Sequence, residues 1–167
     1  MRIYGDEVLR KKGERVETFG SELSPLLDEM VETMIHEDGV GLAAPQVGIS
    51  KLISVINPEP GKNSTLIKLI NPRIISHSDE TESFEEGCLS IPGIRANVVR
   101  PSVIRIEFQD EEGRKHRLKA DGLLARIIQH EIDHLNGVLF VDRLSLAKRA
   151  LLRPKLRELA KRAGRES

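Results

Sequence analysis

Apolar positions along the chain follow two periods and, in two stretches, none. Over residues 25–37, Leu26, Leu27, Met30, Val31, Met34 and Ile35 recur at helical spacing, which predicts a helix with one apolar face. Ser24 is placed to cap it, Pro25 suits its first turn, and Asp38-Gly39 ends it. The middle of the chain is β-branched and broken by Asn-Pro and Gly, which predicts strands over 52–56, 66–70, 74–77, 98–100, 103–109 and 115–120. In 103–109, Val103, Arg105 and Glu107 alternate with Ile104, Ile106 and Phe108, the pattern of a strand with one buried face. Residues 122–136 are apolar most of the way round, which predicts a buried helix that Asp121 caps and Gly137 ends. Leu123, Ile127, His130 and His134 share one of its faces. The tail is helical in composition, and Pro154 is expected to split it into a turn or two and a helix over 154–163. Residues 39–48 and 85–93 fit neither period. They are rich in small residues and read as irregular loops.

Length and composition narrow the class. A chain of 167 residues with 39% hydrophobic and 31% charged residues reads as one globular domain, with room for an appendage. Its 26 basic and 26 acidic residues exclude a purely electrostatic nucleic-acid binder. An aromatic content of 3% without Trp excludes a stacking platform for single strands, so no DNA partner is expected. The balance hides an asymmetry. Residues 145–167 carry Lys148, Arg149, Arg153, Lys155, Arg157, Lys161, Arg162 and Arg165 against Glu158 and Glu166, a net +6 that leaves −6 for residues 1–144. The expected organisation is a catalytic domain over 1–144 and a basic helical extension over 145–167 packed on it.

No apolar run approaches the ~18 residues of a membrane span, so no membrane partner is expected. The opening residues are charged where a signal peptide needs an apolar core. Cys88 is the only cysteine, so no internal disulfide can form. The expected setting is the reducing cytoplasm, where a lone thiol stays available as a ligand or nucleophile.

The strongest chemical signal is His130-Glu131-Ile132-Asp133-His134, an HExxH on a predicted helix. Histidines at i and i+4 lie one turn apart on one face, so both imidazoles can reach one metal ion, and Glu131 can move protons beside its open position. A catalytic metal needs a third protein ligand. The extended zinc-peptidase pattern would put a histidine where this chain has Phe140, and the only acids after Asp142 are Glu158 and Glu166 in the basic tail. Cys88 remains, and a His2Cys site with one open position suits a divalent transition metal. His36, His77 and His116 read as surface residues. Asp133 reads either as a partner orienting a ligand histidine or as a buried ion-pair partner, for example of Arg100, and Glu86 is similarly open.

Residues 39–46 (Gly-Val-Gly-Leu-Ala-Ala-Pro-Gln), Glu86-Gly87-Cys88-Leu89-Ser90 and the HExxH resemble, in the same order, the three signature motifs of the peptide deformylases. The opening Tyr4-Gly5-Asp6-Glu7-Val8-Leu9-Arg10 is also similar, and the short middle and basic tail resemble the bacterial form. The resemblance implies an α+β fold, with antiparallel or mixed sheets wrapped around the HExxH helix and helices near both ends. It implies hydrolysis of the N-formyl group of the formyl-methionine that begins a nascent chain. Cys88, His130 and His134 would bind Fe²⁺, replaceable by Zn²⁺, Ni²⁺ or Co²⁺. Glu131 would be the general acid and base, Gln46 and the Leu89 backbone N–H would stabilise the oxyanion, and Gly41 would dock the substrate backbone. The C-terminal helix would dock on the ribosome near the exit tunnel. Val40, Leu123 and Ile127 are the expected wall of a methionine pocket, the last two because they precede His130 on its own helix face. The rival readings are an HExxH zinc endopeptidase and a ribosome- or RNA-docking module with a structural metal site.

Overall fold

The computed structural model describes residues 1–164. Arg165 and Glu166, counted in the tail charge above, lie outside the described residues. Helix α1 (Ser24–His36) precedes strands β1 (Gly41–Ala43), β2 (Ile53–Ile56) and β3 (Ile67–His77). A hairpin of β4 (Thr81–Cys88) and β5 (Ile91–Pro101) follows, then β6 (Val103–Gln109) and β7 (Lys115–Asp121). Helix α2 (Gly122–Leu135) carries the HExxH, and α3 (Leu146–Ala163) closes the described chain. The five-stranded sheet has the order β1-β2-β3-β6-β7, every neighbour antiparallel, and β4-β5 is a separate two-stranded sheet. The architecture is the expected α+β class. Among the described residues, no helix is long and apolar enough to cross a membrane.

The apolar periods explain three packed clusters. Leu27, Met30 and Met34 of α1 pack with Leu42, Ile53 and Val55 on one end of the sheet. Ile127, Ile128 and Ile132 of α2 pack on Ile56, Leu69, Ile104 and Ile106. Leu156 and Leu159 of α3 join Leu9, Ile91, Val98 and Phe140. Helix α2 is therefore held between the large sheet and the hairpin, and nearly every residue from Ala125 to Leu135 is buried.

The structure departs from the sequence reading in instructive places. Ser24 does not cap α1 but lies inside it, and its hydroxyl donates to the Gly20 carbonyl (3.1 Å) and to the Glu111 carboxylate. Ile35 is 59% exposed, because the packed face centres on Leu27, Met30 and Met34. Asp121 makes no side-chain cap on α2, and its backbone continues β7. Gly137 does end α2, with φ of 73° in the left-handed region. Pro154 does not divide the tail, since α3 runs through it. Burial of Leu156 and Leu159 keeps the second half in line at the cost of one missing backbone bond. Leu151, in the turn before Pro154, is 81% exposed and takes no part in that packing.

Both stretches read as loops are largely ordered by pairing. Gly41, Leu42 and Ala43 pair with Ile56, Val55 and Ser54, followed by a 3-10 turn over Ala44–Val47. Residues 85–93 are the closed end of the hairpin, with Leu89-Ser90 as its turn. The strands expected over 66–70 and 74–77 are one strand, β3, because Asn71-Pro72 forms an irregularity rather than a break. Proline is tolerated in a ladder at such a bulge.

Asn71 fixes that irregularity. Its φ is 51°, its Oδ1 accepts from the Val16 N–H (2.8 Å), and its Nδ2 donates to the Val16 carbonyl (2.9 Å) and to Gln109 (2.8 Å). Asn71→Ala leaves the buried Val16 groups unpaired and keeps a left-handed backbone without the amide that favours it. Denaturant unfolding should show a loss of ~2–4 kcal/mol. Asn71→Gly, which relieves the backbone alone, should lose less.

Candidate active site

Three segments distant in sequence meet at the buried face of α2. One is 41–46, whose strand β1 is an edge of the large sheet; another is the end of β4; the third is the HExxH. The N-terminal segment fastens the first two: the Arg2 N–H donates to the Gln46 carbonyl (2.7 Å) and the Tyr4 N–H to the Ser90 carbonyl (2.8 Å). Their convergence forms a cleft of ≈ 830 Å³. Of the residues singled out from the sequence, Val40, Gly41, Gln46, Cys88, Leu89, Leu123, Ile127, His130 and Glu131 all line it.

Cys88, His130 and His134 present ligand atoms that all lie within 4.8 Å of one another. The Cys88 Sγ is 3.1 Å from His134 Nε2. His130 Nδ1 lies 3.0 Å from the Glu86 carboxylate. A carboxylate only accepts, so Nδ1 carries a proton and Nε2 is the nitrogen left for another partner. Burial would lower the pKa of this ring, but the bonds to Cys88 and Glu86 outweigh it and hold the ring well above the usual histidine range, so a bound metal would displace the Nε2 proton. Burial, helped by the charge of His130, pushes His134 well below the usual histidine range and keeps it neutral, as a ligand must be. One thiolate and two imidazoles brought this close fit a divalent transition metal with an open position.

Glu131 stands beside this group. One of its carboxylate oxygens is buried with no hydrogen-bond partner among the described residues. Burial pushes its pKa up to about 7, with His130 opposing the shift. A carboxyl group titrating near neutrality suits proton transfer. Gly41 makes room for it, since a Cβ there would overlap the Glu131 carboxylate and come within 3.0 Å of Ile127. Gln46 is 2% exposed, its Oε1 accepts from the Ala43 N–H (2.9 Å), and its Nε2 faces Ser90 Oγ (3.2 Å) and Cys88 Sγ (3.6 Å). Its carbonyl end is thus anchored while its amide N–H points at the ligand group. Leu89 opens the hairpin turn immediately after Cys88.

The residues left open by the sequence separate here. Glu86, not Asp133, touches a histidine of the Cys-His-His group. It accepts from Arg100 Nε (2.6 Å) and Nη2 (2.9 Å) and from Arg126 Nη1 (3.0 Å). Burial alone would raise its pKa, but the bonds to Arg100 and His130 outweigh it and hold the carboxyl far below its usual range. Asp133 binds Arg100 (2.7 Å) and Arg143 (2.5 Å), so it is the buried ion-pair partner. Arg126 was not singled out from the sequence. Its signal was its place one turn before His130 on α2. His36, His77 and His116 are exposed, as expected.

Over residues 1–150 the chain matches the family model described as polypeptide deformylase. It is 51% identical over 146 residues to a peptide deformylase of Picosynechococcus sp., covering 86% of this chain and 78% of that one. It is 46% identical over 161 residues to that of Thermotoga maritima, covering 96% of each. A solved peptide deformylase structure from Arabidopsis thaliana superposes with a TM-score of 0.94 at 42% identity, covering 99% of this chain and 92% of that one. The chain belongs to the polypeptide deformylase family.

Proposed function

We propose that this protein is the metal-dependent hydrolase that removes the N-formyl group from formyl-methionine at the start of nascent polypeptides, releasing formate. The observation that carries this reading is the meeting of a Cys-His-His group, a carboxyl titrating near neutrality and an anchored amide donor in one cleft. Neither rival gains support: the family match favours neither an endopeptidase nor a docking module.

Cys88, His130 and His134 are the proposed ligands. When bound there, a divalent transition metal supplies Lewis-acid activation of water and of the formyl carbonyl. Fe²⁺ is our assignment, and Zn²⁺, Ni²⁺ or Co²⁺ suit the same donors. Glu131 takes the proton of the attacking water and later delivers it to the leaving amine nitrogen. The Gln46 amide and the Leu89 backbone N–H donate to the oxyanion that develops on the formyl oxygen, a contribution of a few kcal/mol for a preorganised donor. The free edge of β1 at Gly41 offers an extended peptide the main-chain groups of an added strand. Val40, Leu123 and Ile127 form the apolar wall that receives the methionine side chain, whose flexible thioether suits such a surface.

We place this activity in the cytoplasm, where formylated chains leave the ribosome, with α3 as a docking arm near the exit tunnel. Supporting this, Lys148, Arg149, Arg153, Lys155, Arg157, Lys161 and Arg162 are all exposed while Leu156 and Leu159 hold α3 to the body. Phosphate neutralisation by such an arm needs no sequence reading.

Formate release from a formyl-Met peptide, with metal content measured on the same samples, tests the assignment. Glu131→Gln should keep its metal and lose ~10²–10⁴-fold in kcat/KM. Metal lost in proportion to activity would contradict the proton-transfer role. Ile127→Ala should reduce discrimination for formyl-Met over formyl-Ala peptides by ~1–3 kcal/mol. Unchanged discrimination in the folded variant would remove Ile127 from the pocket.

A further inference from the structure

The acidic body carries one strongly basic surface that the reaction does not use. On the outer face of the large sheet, three rows cross the strands. Arg73 of β3 faces Glu107 of β6, which faces Arg117 of β7. Ser76 faces Arg105, which faces Lys119. Gln109 faces Lys115, and Arg15 donates to the Gln109 side chain (3.3 Å). Arg15, Arg73, Arg105, Lys115, Arg117 and Lys119 are all exposed. Glu107 pairs with Arg73 and Arg117, and Asp121 stands at the far end of β7, but Arg105, Lys115 and Lys119 have no ion-pair partner among the described residues. The opposite face of β6 is the one buried, with Ile104 and Ile106 packed against α2.

Arg105 directly opposite Lys119 is a like-charge cross-strand pair, which destabilises a sheet. Strand geometry sets neighbouring cations about 5 Å apart across the sheet and about 7 Å along it. We propose that this face is a second docking surface, for the phosphate backbone of structured ribosomal RNA, on an element separate from α3. The choice of RNA rests on the reading that the substrates are chains leaving the ribosome. The chemistry of the face agrees. The three rows expose only charged and polar residues, and the exposed apolar residues beside them, Ile74 and Ile75 of β3, are two aliphatic side chains with none of the aromatic anchors of a membrane-surface binder. None of these residues is aromatic, so the face would meet phosphates rather than stack on bases. It lies across the sheet from α2, so docking there leaves the cleft open to a peptide.

The test is the metal-loaded full chain carrying Arg105→Glu, Lys115→Glu and Lys119→Glu together, with a variant changing the same three to Gln as the milder form. Binding to large ribosomal subunits and to a short labelled RNA duplex is measured across a salt series. Anionic phospholipid vesicles serve as the competing polyanion, and Arg157→Glu, Lys161→Glu, Arg162→Glu reports on α3 alone. The sheet variants should bind both RNA probes at least ~10-fold more weakly at low salt, and the Gln form should show a salt slope shallower by ~2–3. Their formyl-Met peptide hydrolysis should match wild type. Unchanged RNA affinity and salt slope in folded sheet variants would overturn the proposal, as would loss of vesicle binding with RNA binding intact. Wild type that hydrolyses the peptide but binds neither RNA probe would sink this proposal while leaving the proposed activity standing. Loss of hydrolysis by wild type would instead count against the activity.

Discussion

The site depends on a single buried carboxylate. Glu86 lies at the end of β4, two residues before Cys88, and accepts from Arg100, Arg126 and His130 at 2.6–3.0 Å. Two of those partners, Arg126 and His130, are on α2, and Arg100 is on β5. One side chain thus ties the hairpin that carries the thiol to the helix that carries both histidines, and it fixes the proton on His130. Buried ion pairs contribute little net stability, because desolvation offsets their attraction. Their value here is positional. Arg100 extends the tie to Asp133, and Asp133 extends it to Arg143, so the far side of α2 is fastened as well.

The rest of the fold spends its regularity so that the cleft can be irregular. Packed apolar faces hold α1, α2 and α3 in three clusters, and the polar groups left without partners are few. Among the described residues they include a carboxylate oxygen of Glu131, which lines the cleft, and His134 Nδ1, the ring nitrogen that does not face the Cys88 sulfur. An unpaired buried carboxylate oxygen is costly, and one on a residue that lines the cleft is what a site built for an additional ligand looks like. Gly41 serves the same end by leaving the Glu131 carboxylate the volume that a Cβ would take.

What was legible in the sequence was what depends on periodicity or on fixed spacing. The amphipathic α1, the buried α2 with its two histidines one turn apart, and the alternation of β6 follow directly from residue order. The hairpin of β4 and β5 did not, because its closed end is rich in Gly and its order comes from cross-strand pairing. Asn71-Pro72 looked like a break because propensity cannot see the Val16 backbone that satisfies the Asn71 amide. The continuity of α3 through Pro154 likewise comes from burial of Leu156 and Leu159 against a distant cluster. At the site, the meeting of Cys88 with His130 and His134 was inferable because the sequence offers no other third partner for the two histidines. The choice between Glu86 and Asp133 as the histidine's partner was not, because it depends on which carboxylate the hairpin register turns toward His130.

The most direct test of this account is the affinity of Glu86→Gln for Zn²⁺, measured by chelator competition on protein whose helix content matches wild type. If Glu86 orients His130 and joins the two halves of the site, the variant should bind the metal ~10–100-fold more weakly while Cys88, His130 and His134 are all present. An unchanged affinity would show that the two halves hold their places without it, and would contradict the central claim.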